Sequence, residues 1–329
     1  MDKMSVVLDK HAIRISMEGK ALRIDTPGEG LQRIPLGMVS QVVVYGNPEV
    51  SCNVWRKLSE YGIPSLLLPA RGKGEGAWIS PGPSTAVMVR IAQFNAWSDP
   101  KVCKKAAAWA VRGKFMAMQE IATRLARECP FIESSLQRLE IATSINEIRG
   151  IEGNAARQWF AFMAGLLPDE WKFSGRNRRP PKDPVNSLLS LGYTLMQGEV
   201  HKAVLARGLD PGIGFLHTPH PGRESLVLDL MEPLRPGVDA FALALVTDRL
   251  SPEDFTTGKQ DGCRLSKMAR GVFYGAWEDF KVNWPFSPQN SPEDEGGGNP
   301  PDLYRTAKAH INRFVRSWKT DQDADRVEV

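Results

Sequence analysis

Three short stretches of the chain carry side chains that suit a divalent ion. Gly150–Ala156 has Glu152 at its centre, Gly214–His217 closes an apolar run on a histidine, and Asp229 and Glu232 stand three residues apart. Carboxylate oxygens and an imidazole nitrogen are hard and borderline donors, the kind that Mg2+ and Mn2+ accept. Between the first two stretches lies a concentration of positive charge, Gly175–Asn186. A divalent ion beside a basic groove is the equipment of phosphodiester chemistry.

Each stretch also has a plainer reading. Glu152 sits among Gly150, Gly153, Asn154, Ala155 and Ala156, and these small neighbours leave room for a ligand or a second backbone. A single helical glutamate is nonetheless usually solvated. His217 reads as hydrogen-bonded packing or as a ligand, and His220, on the Thr218–Gly222 turn, as exposed and incidental. If Ser225–Glu232 is helical, Asp229 and Glu232 share a face. Burying both without a cation costs several kcal/mol or raises their pKa values. A divalent ion resolves that, and so does an ion-pair network with Arg223 and Arg235; spacing does not choose between them.

The basic run is more specific. Arg176, Arg178, Arg179 and Lys182 stand among Pro180, Pro181 and Pro184, with Asp183 the one opposing charge. Prolines exclude a regular helix, so the charges are displayed on an ordered loop, where they suit backbone phosphates. Gly72–Gly76 is also glycine-rich, but no Gly-Lys-Ser/Thr follows it, so a hairpin tip is expected rather than a phosphate cradle.

The elements that position these residues fall into two groups. Up to about Ala86 the pattern is mainly β. Ile13, Ile15 and Met17 alternate with polar residues, Leu22 and Ile24 resume the period of two, and Val42–Val44 mark a central strand. A short helix is expected over Ser51–Tyr61, ended by Gly62. Ser80–Ser84 reads as a linker. Beyond it helices are expected over Thr85–Ala96, Pro100–Cys129, Ile132–Ala164 with a break near Gly150 and Gly153, Val185–Arg207, Gly237–Arg249, Leu265–Val282 and Pro301–Trp318. Phe286–Pro300 reads as a mobile insertion and 321–329 as a disordered tail. The expectation is an α+β protein: a small β-rich, sandwich-like domain with a short helix at 1–84 and a larger all-α domain at 85–320.

At 329 residues the chain is long for one core. Its net charge of +4 permits an anionic partner without requiring one. Cys52, Cys103, Cys129 and Cys263 show no paired spacing, which fits free thiols in a reducing compartment. No secretory signal leads the sequence and no apolar run approaches a membrane span, so a cytoplasmic protein without membrane attachment is expected.

The run Gly175–Tyr193, Gly214–His217 and the stretch Arg223–Pro236 together resemble the CRISPR-associated integrase family, metal-dependent DNA endonucleases that insert new spacers into a CRISPR array. The likeness covers nearly the whole chain. It implies that Glu152, His217 and Glu232 are the metal ligands, and that Asp229 assists without being a main ligand. It implies Mg2+ or Mn2+ as cofactor, the imidazole favouring Mn2+. Arg176, Arg178, Arg179, Lys182 and Arg223 are then the expected DNA contacts. Double-stranded protospacer and repeat DNA are the expected substrates, with a homodimer formed through the β domain and a small Cas protein as partner. A DNA 3′-hydroxyl would attack a phosphodiester in integration, and water in nuclease action. Two rivals share the same residues: a structure-specific DNA repair nuclease, and a non-catalytic DNA-binding scaffold in which the carboxylates serve an ion-pair network.

Overall fold

The computed structural model describes residues 4–9, 12–69, 76–79, 87–177, 180–258, 262–285 and 302–318. The Gly72–Gly76 tip (apart from Gly76), the Ser80–Ser84 linker, Arg178, Arg179, the Phe286–Pro300 insertion and the 321–329 tail lie outside the described residues. The chain divides into two compact units, Met1–Ser84 and Thr85–Val329.

The first unit contains β1 (Met4–Leu8), β2 (Arg14–Glu18), β3 (Ala21–Thr26), β4 (Gly30–Pro35), β5 (Val39–Tyr45), β6 (Glu49–Val50), α1 (Cys52–Glu60), β7 (Ser65–Leu68) and β8 (Ala77–Ile79). They form two four-stranded sheets, ordered β1-β5-β7-β8 and β4-β3-β2-β6. Strand alternation supplies their common core: Ile15 of β2, Leu22 and Ile24 of β3, and Val42 and Val44 of β5 are buried in one cluster. Val54 and Leu58, one turn apart on α1, complete it. β5 is an interior strand, paired in parallel with β1 and β7. Gly62 takes φ +64° just after α1, the left-handed stop that ends the helix.

The second unit holds α2 (Val87–Ser98), α3 (Pro100–Arg124), α4 (Pro130–Ile141), α5 (Ile145–Ala164), α6 (Pro184–Ala206), α7 (Ser225–Met231), α8 (Arg235–Asp248), β9 (Phe255–Gly258), β10 (Gly262–Leu265), α9 (Lys267–Val282) and α10 (Leu303–Arg316). The protein is α+β, but this unit is not all-α: β9 and β10 pair as an antiparallel hairpin. Thr256, Thr257 and the β-branched-poor Gly262–Leu265 gave too short an alternation to separate from the helix that follows.

The long pattern through Ile132–Ala164 breaks elsewhere than at its glycines. It divides at 142–144, where the Ser144 hydroxyl accepts from Glu147 N–H and the Glu147 carboxylate accepts from Thr143 N–H. α5 then runs unbroken through Gly150 and Gly153. Two helical glycines cost about 1 kcal/mol each, and the buried row Ile148, Ile151, Ala155, Trp159 and Met163 outweighs them. No atom lies within 4 Å of a Cβ built at either glycine, so they do not admit a second backbone.

Candidate active site

α3, α5, α7 and the loop between α6 and α7 meet around a buried amine. The apolar stripe of α3, through Ala107, Val111, Met118 and Ile121, includes Lys114, which is only 6% exposed. Its ammonium donates to Glu152 Oε1 on α5 at 2.5 Å and to Glu232 Oε2, in the turn after α7, at 2.7 Å. Glu232 Oε1 accepts from Arg235 Nε at 2.7 Å. Close backbone approach makes this possible. A Cβ at Gly113 would stand 3.0 Å from the Pro233 ring, so glycine lets α3 lie against the turn that carries Glu232.

These charges hold one another ionised. Burial pushes the Glu232 carboxyl up, but Arg235 and Lys114 together outweigh it and leave the group well below the usual carboxylate range. Burial pulls Lys114 down, and Glu232 and Glu152 more than reverse that. His217 adds a smaller favourable field at Glu232. The two carboxylates reach the same ammonium from α5 and from the turn after α7, so they are already gathered about one cation.

His217 is presented by a loop with four anchors. Asp229 of α7 is fully buried; its Oδ2 accepts from Phe215 N–H at 2.5 Å and Leu216 N–H at 2.9 Å. Its Oδ1 accepts from His217 N–H at 2.9 Å and lies 2.7 Å from His217 Nδ1. An ionised carboxylate oxygen can only accept, so Nδ1 is the ring nitrogen that donates to Asp229 and Nε2 is the one left to face a ligand. Arg149, one turn before Glu152 on α5, donates to Leu216 O at 2.6 Å and to Thr218 Oγ1 at 2.8 Å. Gln93 of α2, buried, donates to Asp210 O and Ile213 O and accepts from Asp210 N–H. Gly214 completes the seat, because a Cβ there would fall 2.6 Å from the Ser225 backbone.

Asp229 and Glu232 therefore do not act as a pair, despite their i, i+3 spacing. One faces the histidine loop and the other the Lys114 ammonium. Among the described residues no group of three or more His, Cys, Asp or Glu side chains is arranged to hold a metal ion. The cation between Glu152 and Glu232 in this structure is the lysine. The donor chemistry of a divalent ion is nonetheless all present: two carboxylates about one positive charge, and an imidazole with a fixed Nδ1–H and a free Nε2.

The basic loop is held as an ordered structure, but Arg176 is turned inward. Its guanidinium donates to Asn177 O, to Asn186 Oδ1 at 2.8 Å and to Ser190 Oγ at 3.1 Å, and lies 5.4 Å from the centre of the Tyr193 ring. Asp183 caps α6 through Asn186 N–H at 2.8 Å and also accepts from the Asn186 and Asn177 amides. Arg176, expected to face DNA, is thus engaged by groups at the start of α6 in this structure. Lys182 and Arg223 are exposed. Arg178 and Arg179 fall outside the described residues. Arg235 lies 5.0 Å from the same Tyr193 ring, whose hydroxyl donates to buried Asp239, as does Trp159 Nε1 at 2.8 Å. Burial raises the Asp239 carboxyl to about 6.

Sequence reasoning missed Lys114, Arg149 and Gln93. Lys114 is visible in hindsight as a charge on an otherwise apolar α3 stripe, and Arg149 as the residue one turn from Glu152. Gln93 carries no local signal.

Two carboxylates gathered about one buried ammonium, with an anchored imidazole on a nearby loop, thus make a compact charged centre on a helical scaffold. Residues 6–279 match the family model described as CRISPR associated protein Cas1. A CRISPR-associated endonuclease Cas1 of Thermus thermophilus is 36% identical over 277 residues, 83% of this chain and 82% of that one. Another, of Rhodospirillum rubrum, is 33% identical over 314 residues, 86% and 90% of the two chains. Among solved structures, a casposase bound to integration product superposes with a TM-score of 0.83 at 23% identity, over 96% of this chain and 90% of that one. A Cas1 protein from Thermotoga maritima gives 0.83 at 22% identity, over 95% and 96%. The chain belongs to the Cas1 family.

Proposed function

We propose that this chain inserts spacer DNA into a CRISPR array by metal-dependent attack of a DNA 3′-hydroxyl on a target phosphodiester. Family membership supports a CRISPR-associated endonuclease, and strand transfer is the reaction proposed for it. The observation that carries the finer reading is the convergence of Glu152 and Glu232, from separate elements, on one cation beside His217. Glu152, Glu232 and the Nε2 of His217 would hold Mg2+ or Mn2+, which supplies Lewis acidity at a non-bridging phosphate oxygen.

The protein's own groups prepare that seat. Asp229 fixes the imidazole tautomer, Arg149 and Gln93 fix the loop that carries it, and Lys114 and Arg235 keep Glu232 ionised. In integration a new P–O bond forms to the incoming 3′-oxygen as the target P–O bond breaks. With water as nucleophile the same displacement is cleavage. Lys182 and Arg223, together with Arg178 and Arg179 of the basic sequence run, are proposed to meet backbone phosphates. Structural neighbours support DNA and a second Cas protein as partners: one was solved as a Cas1–DNA complex and another as a Cas6-RT-Cas1–Cas2 complex. We assign homodimer contacts to the unit Met1–Ser84. No helix among the described residues is long and apolar enough to cross a membrane.

The test is His217→Ala. A labelled DNA with a free 3′-hydroxyl is mixed with a supercoiled repeat-bearing plasmid and Mn2+, and covalent joining and cleavage are scored. The variant should lose both reactions and keep its DNA affinity. Wild-type joining by the variant would place catalysis elsewhere and favour the scaffold reading, in which Lys114 and Arg235 serve only as counter-ions.

A further inference from the structure

α10 lies beyond the residues matched by the family model, yet it is built into the catalytic unit. Its apolar face, through Leu303, Ala307, Ile311 and Phe314, is buried. Phe314 packs on Trp109 of α3 at 5.1 Å between ring centres and on Phe215 at 5.4 Å, and Trp318 packs on Phe215 at 5.0 Å. Phe215 is two residues from His217, so the helix directly backs the catalytic loop.

The opposite face is basic. Arg305, Lys308, Asn312 and Arg316 follow at spacings of three and four, which place them on one side of a helix. Arg305, Lys308 and Arg316 are exposed. No Asp or Glu occurs between Leu303 and Trp318. The one acid at the helix start, Asp302, caps Arg305 N–H and lies 3.6 Å from the Arg305 guanidinium. α6 brings further cations to the same place. Lys202 Nζ stands 4.3 Å from the centre of the Tyr304 ring and Lys308 Nζ 5.9 Å from it. Between the two helices is a concavity of about 40 Å³, lined by Ala203, Ala206, Arg207, Lys308, Ile311 and Asn312. Small alanine side chains line it, two cations and an amide donor edge it, and none of its lining residues is acidic.

We infer that this concavity and the basic face of α10 form a second DNA-binding surface, in which Arg207, Lys308 and Asn312 seat one backbone phosphate and Arg305 and Arg316 engage its neighbours. Arg305 and Arg316 are separated by roughly 16 Å along the helix, enough to follow several phosphates. The contacts are to phosphate alone, so the surface is indifferent to sequence and extends the grip of the enzyme beyond the catalytic centre. The inference rests on the DNA-processing reading of the preceding subsection.

The experiment measures binding of a long fluorescein-labelled duplex to the full chain by anisotropy across a salt series. Arg305→Gln, Lys308→Gln and Arg316→Gln combined should weaken binding by roughly tenfold at physiological salt and make the log–log salt slope shallower by about 2–3. Metal-dependent cleavage of a short duplex should proceed at the wild-type rate. Ala206→Glu alone, at an exposed helical position, should weaken binding in the same direction, and Lys308→Arg should retain it. Wild-type affinity and slope in both the triple variant and Ala206→Glu would overturn the proposal and leave the DNA-processing reading standing. A wild-type protein that binds no duplex at all would overturn both.

Discussion

Asp229 Oδ1 holds His217 twice, at its backbone N–H (2.9 Å) and at its ring Nδ1 (2.7 Å). A single buried oxygen thereby sets both the path of the loop and the face that the imidazole presents. The second oxygen takes the two preceding N–H groups.

Asp229→Asn replaces one of those acceptors with a donor. At least one backbone N–H then faces an amide N–H, and leaving a buried group unpaired costs about 1–3 kcal/mol. The expected outcome is lower stability in urea titration together with a loss of strand transfer close to that of His217→Ala. A variant with wild-type stability and activity would show that the loop holds its shape without the carboxylate.

Lys114→Met removes the cation between Glu152 and Glu232 and keeps the volume. Glu232 retains Arg235, but a buried carboxylate that loses one of its two counter-ions, beside half-buried Glu152, is destabilised by up to about 3 kcal/mol. Melting temperature without divalent ions should fall, and added Mn2+ should raise it more in the variant than in the wild type. Equal Mn2+ responses would mean that the carboxylates do not form an ion seat.

Arg176 and Lys182 should separate in their effects. Arg176→Ala loses contacts with Asn186 and Ser190 and the stack on Tyr193, so a stability loss of about 1–3 kcal/mol is expected. Lys182→Ala should leave stability unchanged and make the DNA salt slope shallower by about 1. The reverse pattern would mean that Arg176 swings out to DNA.

Asp239 predicts a pH dependence. Its carboxyl is raised from 3.8 to about 6 by burial, so the folded state binds its proton more tightly than the unfolded chain. The stability this provides is full below about pH 4 and is lost as pH rises through about 6, roughly 3 kcal/mol in all. His310, lowered by burial to about 4, acts in the opposite sense over an overlapping range, its contribution being lost as pH falls from 6.5. The wild type and Asp239→Asn are therefore compared. Their difference in denaturant stability should change between pH 4 and 6 and stay flat above about 7; a constant difference would place the Asp239 pKa outside this window.

Much of the architecture was legible because local periodicity decides it. Ile15, Leu22 and Ile24 announce a half-buried sheet by a period of two, and the rows along α3 and α6 announce helices. Ser144 shows where such reading slips. A capping serine and its reciprocal glutamate end one helix and begin another, while Gly150 and Gly153, the stronger breakers by propensity, remain inside α5 because its buried face holds it together. The hairpin of β9 and β10 escaped because four-residue strands carry too few alternations.

For the candidate site, the sequence offered Glu152, His217, Asp229 and Glu232 as side chains of suitable type, and the family resemblance grouped them. The spacing left open whether Asp229 and Glu232 belong to an ion or to a network, because i, i+3 spacing fixes a shared helix face and not the partners across from it. Tertiary structure gives each carboxylate its own partner. The end of α7 gives way to the turn at Glu232, so Asp229 turns to the His217 loop and Glu232 to Lys114 on α3. Lys114 and Gln93 enter the site from helices far away in sequence, and Arg149, beside Glu152 on α5, reaches a loop 67 residues on. A contact made by long-range packing leaves no local pattern, and only the folded chain brings those charges within hydrogen-bond distance.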